Sequence, residues 1–305
     1  MERKPVFLRA EWRDLVMLNY EADPALLRPH VPAGTELDAF EGKTYMSLVG
    51  FRFCRTKLFG KLPVPPHGEF EEVNLRFYVR REVNGESRRG VVFLAEIVPK
   101  WAVAATARLV YGENYVCLPM RHRIECADSQ NQRVAGAKKA NGETETGLRP
   151  CLPGTASKRG AGRYHENQAR VQEIQSPAAK YEFRLRGEWC RLWARGEGEA
   201  AEAREGSVEQ FITEHYWGYT QEKTSAQEAR ARHPKAGAGG GHKGSLEYHV
   251  AHVPWKVWIT EDAGFEGDGS ALYGVELARV IRRKPDSAFL AEGSEVTVYR
   301  GENFG

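Results

Sequence analysis

The chain has 305 residues, 41 % of them hydrophobic and 28 % charged, with a formal net charge of +3. That length buries a sizeable core in one large or two medium domains. No stretch reaches the ~18–20 apolar residues of a bilayer-spanning helix, and the charged start Met1-Glu2-Arg3-Lys4 does not resemble a secretory signal. The expectation is a cytoplasmic protein without a membrane partner.

The positive charge is localised. Residues 127–180 hold nine Lys or Arg against five Asp or Glu, a local +4 that leaves −1 for the remainder. Tyr164 is the sole aromatic of that segment, whereas a nucleic-acid surface pairs basic residues with stacking rings. Nucleic-acid binding is therefore not expected. The five cysteines, Cys54, Cys117, Cys126, Cys151 and Cys190, form no CxxC pair and no zinc-module spacing. An odd, scattered set fits a reducing compartment.

In chain order, Val6–Trp12 reads as a strand, with Asp14–Tyr20 as a second strand or its continuation. Asp23 is placed to cap a short helical turn begun by Pro24 and closed by Pro29 and Pro32. Thr44–Phe53 and Phe70–Arg80 alternate as strands do. In the latter, Val73, Leu75, Phe77 and Val79 share one face, while Glu72, Asn74, Arg76, Tyr78 and Arg80 share the other. Asn84-Gly85 is a hairpin turn signal leading into a more fully buried strand, Gly90–Val98. The alanine-rich run from Trp101 to Leu109 suits a helix packed across the sheet.

Residues 127–180 lack apolar periodicity and read as a polar, flexible insert. Beyond it come a hairpin, Lys180–Leu185 with Gly187–Trp193, and a helix capped by Ser207 with Gln210 at the capping-box position. A polar, Gly-rich loop spans 222–244, and its glycine run lacks the Lys-Ser/Thr end of a phosphate loop. Strands follow at Ser245–Val250 and Trp255–Ile259, a short helix at Leu272–Val280, and terminal strands at Ala288–Ala291 and Ser294–Arg300. The pattern predicts an α+β fold with mostly antiparallel pairing, one domain over 1–305 carrying the insert and the loop.

Three constellations carry candidate chemistry. Tyr111-Gly112-Glu113-Asn114-Tyr115 with Leu118-Pro119-Met120-Arg121-His122 brings a carboxylate, a guanidinium and an imidazole together in sequence. Glu113 or His122 would transfer protons, and Arg121 would hold a carboxylate through two parallel hydrogen bonds. The structural alternative is a strand edge where Glu113 pairs with Arg121. Glu214–Tyr219 contributes Tyr216 and Trp217 as ligand-covering aromatics at a helix end, or as a packed core edge. Asn74 and Arg76 face solvent in a flat sheet and the lumen in a closed one. No cofactor or metal is expected. His249 and His252 lie three apart with no third ligand, and neither an HExxH array nor a Gly-x-Ser-x-Gly elbow is present.

Several of these segments resemble an uncharacterised bacterial family, the YqjF-like proteins. They are Trp12–Leu15, Phe51–Phe53, Glu72–Arg76, Tyr111–Tyr115, Leu118–His122, Phe211–Tyr219 and Ala291–Ser294. The resemblance spans about residues 5–125 and 181–302. That family is similar in fold to the acetoacetate-decarboxylase-like group, which curls antiparallel sheets around an internal pocket. The resemblance implies a Schiff-base lysine in the decarboxylase itself, but Met120 stands where Glu113 and Pro119 would place it. Three functions follow as expectations. The first is binding of a small polar or carboxylate-bearing metabolite by Arg121, Arg76, Asn74, Tyr115, Tyr216 and Trp217. The second is a lyase, isomerase or hydrolase using Glu113 and His122. The third is a protein-interaction module, and self-association is left open.

Overall fold

A computed structural model describes residues 4–64, 68–125, 176–221 and 244–304. Most of the insert expected at 127–180 and of the loop expected at 222–244 lies outside the described residues. At the insert's C-terminal end the chain is already in a strand from Ala178.

The two expected N-terminal strands are one, β1 (Val6–Glu21); the short strands β2 (Glu36–Leu37), β4 (Leu62–Pro63), β11 (Ala201–Glu202), β14 (Lys256–Ile259) and β17 (Glu302–Phe304) belong to the same sheet. Strand β1 is flanked by β16 (Ser287–Tyr299) and β3 (Tyr45–Leu58). The sheet continues through β5 (Phe70–Val83), β6 (Glu86–Val98), β12 (Trp217–Gln221) and β13 (Ser245–Ala251). Val250 and Ala251 then pair with Val298 and Thr297 of β16. The ring of strands closes, and a closed sheet encloses an interior.

Because the ring is closed and also covered outside, its strands bury both faces. Val16, Leu18 and Tyr20 of β1, Met46 and Leu48 of β3, and Val73, Leu75 and Phe77 of β5 point outward into one core. That core is shared with Tyr181, Phe183 and Leu192 of a second, four-stranded antiparallel sheet. Its strands are β8 (Met120–Glu125), β9 (Ala178–Leu185), β10 (Glu188–Arg195) and β15 (Ala263–Glu266). Gly50 permits the close approach, since a Cβ there would lie 2.7 Å from the Tyr181 ring. The alternate residues Leu15, Met17, Val49, Phe51 and Phe53 point inward into a second core.

Local chemistry sets the connections. Asp23 accepts from the Ala25 amide at 2.8 Å and caps α1 (Pro24–Leu27). Asn84 and Gly85 both take positive φ, 53° and 82°, as a two-residue hairpin turn requires. The alanine-rich helix α2 (Trp101–Tyr111) ends on Gly112 in the left-handed conformation. Ser207 caps α3 (Val208–Thr213), and the Gln210 side chain accepts from the Gly206 amide.

Three expectations need correction. The helix expected over Leu272–Val280 is two, α4 (Ser270–Tyr273) and α5 (Val275–Ile281), broken at Gly274 with φ 82°. Trp217 opens a strand, not a helix end. The segment after Pro119 is β8, an edge of the second sheet, and contributes nothing to the ring.

Candidate functional site

The ring interior holds a cavity of about 180 Å³. Its walls are largely apolar, with Trp12 from β1, Phe51 and Phe53 from β3, Phe70 from β5 and Phe93 from β6. Helix α2 closes one side with Ala102, Val103, Thr106 and Ala107. These small side chains leave the space open. An apolar cavity of about 150 Å³ accommodates benzene, so this one admits a ring-sized or branched apolar group.

One part of the wall is polar, and strand register explains it. Across the sheet Val49, Asn74, Glu96 and Tyr115 are successive partners on β3, β5, β6 and β7 (Tyr115–Cys117). Along β5, Glu72 and Arg76 lie two residues to either side of Asn74, on the same face because side chains alternate. Gln or Asn amides and carboxyls at such a depth must find partners inside the protein. Asn74 Nδ2 donates to Glu72 Oε1 at 3.0 Å and Tyr115 donates its hydroxyl to Glu72 Oε2 at 3.0 Å. Tyr248 of β13 donates its hydroxyl to Glu113 Oε1. Gly218 on the neighbouring strand makes room, since a Cβ there would overlap the Tyr248 ring.

Three carboxyls, Glu72, Glu96 and Glu113, are thus buried in one wall. Burial raises all three pKa values, because the low-dielectric interior disfavours charge. Glu72 is pushed up to about 7 and Glu113 to about 8. Glu96 is raised well above the ordinary carboxylate range, with Glu113 and then Glu72 adding like-charge repulsion to the burial. The phenols of Tyr115 and Tyr248 are raised as well, chiefly by burial. At neutral pH this wall is rich in O–H donors.

Arg76 and His215 form the opposite pole. Arg76 donates from one terminal nitrogen to the Ile212 carbonyl at 3.4 Å, and its Nε has no partner. Among the described residues no carboxylate lies within ion-pair distance of it. The His215 ring is tilted against Tyr78 with centroids 4.5 Å apart, and its Nε2 is 3.8 Å from Asp38 Oδ2. Burial outweighs Asp38 and lowers its pKa to about 4, so it is neutral at physiological pH. No cluster among the described residues is arranged to hold a metal ion.

Of the residues singled out from sequence, Glu113, Asn74, Arg76, Tyr115 and Trp217 line the cavity. Tyr216 does not; its ring is tilted against His252 with centroids 4.9 Å apart. Arg121 and His122 sit elsewhere. Arg121 is on β8 with its side chain 55 % exposed, paired with Glu182 at 2.6 Å and lying over Trp189. His122 is 3.5 Å from Glu71. Neither lines the cavity, because both belong to the outer second sheet. The pairing of Glu113 with Arg121 fails for the same reason. Met120 packs against the outer core and does not stand at a lysine's place in the cavity. Among the described residues, no lysine lines it.

Sequence reading missed Glu96 and Tyr248, whereas His215 lies within the Glu214–Tyr219 cluster it had marked. Glu96 had a usable signal, a lone carboxylate inside the apolar run Gly90–Val98. A charge in a buried strand is retained only with partners or a function.

The comparisons with known proteins agree with this architecture. A family model described as an uncharacterized conserved protein, DUF2071, matches residues 9–295. The uncharacterized protein YqjF of Bacillus subtilis (strain 168) is 31 % identical over 72 residues, 24 % of this chain and 30 % of that protein. The match thus spans under a third of that relative's length. Among solved structures, acetoacetate decarboxylase from Legionella pneumophila superposes with a TM-score of 0.59 at 11 % identity, covering 98 % of this chain and 87 % of that one. The enduracididine biosynthesis enzyme MppR gives 0.58 at 12 % identity, covering 99 % and 89 %. Among the described residues no helix is long and apolar enough to cross a membrane. The chain belongs to the DUF2071 family of uncharacterized conserved proteins and has the acetoacetate decarboxylase-like fold.

Proposed function

We propose that the cavity binds a small carboxylate-bearing molecule with an apolar body, anchored by Arg76. The observation that carries this reading is the Arg76 guanidinium itself. It is buried at the cavity wall, makes one long hydrogen bond and keeps an unpartnered Nε. A guanidinium cannot discard its charge, and a carboxylate matches its fork in two parallel bonds. The aromatic walls supply the rest of the affinity through burial of apolar area.

A panel of short apolar acids, followed by thermal melting, tests the reading. A ligand at about 100 times its Kd stabilises by about 2.7 kcal/mol, which is a shift of several degrees. Arg76→Met should abolish the shift. If no acid raises the midpoint, or if Arg76→Met responds like the wild type, the reading fails.

A second reading, a lyase, isomerase or hydrolase, is favoured by Glu113, which burial keeps protonated near neutrality and which faces the cavity beside Tyr248. Such a group suits proton transfer. Deuterium exchange from solvent into a bound acid, detected by NMR and lost in Glu113→Gln, would support it; exchange that survives Glu113→Gln would count against it. A Schiff-base route is disfavoured, and borohydride with acetoacetate should leave the protein mass unchanged.

A further inference from the structure

Two oxygens on the polar wall are without a hydrogen-bond partner. Glu96 Oε2 and Asn74 Oδ1 are both buried without a hydrogen-bond partner, in residues 1 % and 2 % exposed. They are not scattered. Asn74 and Glu96 are direct cross-strand partners on β5 and β6, both on the cavity wall, and such pairs hold their side chains about 5 Å apart. The Asn74 orientation is fixed by its other end, since Nδ2 donates to Glu72. Buried oxygens in native proteins are almost always satisfied; in the empty cavity the proton that burial keeps on Glu96 serves this pair, and a ligand with N–H groups satisfies both oxygens once Glu96 gives that proton up.

We infer that Glu96 and Asn74 form a subsite for a primary amine, so that the cavity takes an apolar amino acid, its carboxylate on Arg76 and its ammonium between these two acceptors. This rests on the acid-binding reading above and narrows it. The unpartnered atoms of the wall have opposite needs at two places, a donor at Glu96 and Asn74 and an acceptor at Arg76. Arg76 lies two residues along β5 from Asn74, about 7 Å in an extended strand. Two hydrogen bonds of about 2.9 Å each, with one adjacent amine–acid pair between them, bridge a gap of that size. An ammonium offers three N–H donors, and Glu96, losing its proton as the ammonium binds, supplies counter-charge together with the neighbouring carboxyls of Glu72 and Glu113. The cavity volume limits the body to something ring-sized or branched.

Three probes with one branched body separate the contributions: leucine, isocaproate, which lacks the amine, and isoamylamine, which lacks the acid. Titration calorimetry at neutral pH should find leucine tighter than isocaproate by about ten-fold, the value of one buried charge-assisted hydrogen bond set. Isoamylamine should bind more weakly than leucine. Glu96→Gln should remove most of the leucine preference and affect isocaproate much less. If isocaproate binds as tightly as leucine to the wild-type protein, the amine subsite is wrong while acid binding on Arg76 stands. If neither binds, both readings fall. The wild-type comparison decides the matter even where Glu96→Gln does not fold.

Discussion

Tyr248 and Glu113 are both fully enclosed, and each is the other's principal polar partner. Removing the phenol oxygen by Tyr248→Phe leaves a carboxyl oxygen without its donor in a low-dielectric wall. The expected cost is about 1–3 kcal/mol, read as a lower midpoint in urea unfolding. The Glu113 pKa should also climb further, because the Tyr248 hydrogen bond is a pKa-lowering influence on it; a titration of the carboxyl by infrared or NMR would read this. An unchanged midpoint and an unchanged pKa would mean the contact is not formed. At this scale much of the wall was legible in the sequence. Asn74, Arg76, Glu113 and Tyr115 stood out as polar residues on alternating or turn-flanked segments. Arg121 and His122 stood out equally, yet they occupy the solvent side of a sheet edge. Proximity to Glu113 in sequence says nothing about which sheet the chain enters after Pro119. Tyr248 and Glu96 were invisible because β12 separates their strands in the sheet, and no local pattern joins two such distant segments.

Strands and helices place these residues, and the junction of β12 with β13 is the most sensitive. Gly218 lies opposite Tyr248 in register, with no space for a Cβ beside the ring. Gly218→Ala would push that ring away from Glu113 and strain a packed wall, at about 1–3 kcal/mol. Combined with Tyr248→Phe the two losses should be less than additive, since both act on one contact; strict additivity in a double-mutant cycle would contradict this arrangement. The long strands were readable because their alternation is strong: β5 separates Val73, Leu75 and Phe77 from Glu72, Asn74 and Arg76 without exception. What alternation could not tell was that the polar face is also buried. A polar face toward solvent and one toward an enclosed cavity have the same sequence pattern, and only ring closure at Val250–Ala251 distinguishes them. The stretch Phe211–Tyr219 misled for a related reason. Its first half is helical and its second half is a strand, and the aromatic density that suggested one helix end serves packing on both.

At the scale of the whole molecule, the buried titratable groups set how stability depends on pH. Glu72 and Glu113 ionise at about 7 and about 8 in the folded protein, against an ordinary 4.5, and Glu96 higher than its ordinary value too. The folded chain therefore holds more protons than the unfolded chain above pH 4.5. Stability from this source is complete below that pH and is lost as pH rises through 7 to 8. His215 acts in the other direction. Its folded value of about 4 lies below the ordinary 6.5, so its contribution is complete above pH 6.5 and is lost as pH falls through 4. The two effects leave a stability maximum in the mildly acidic range, and the fall on the alkaline side belongs to the cavity wall. Glu96→Gln separates them, since an amide keeps the shape and cannot ionise. It should gain stability relative to the wild type from pH 5 to pH 8, read in urea unfolding at the two pH values. An equal effect at both would mean that Glu96 is not held protonated by the wall. An amine-bearing ligand should act in the same sense as the amide, by neutralising the ionised wall, so its stabilisation should grow toward pH 8, and that growth should be lost in Glu96→Gln.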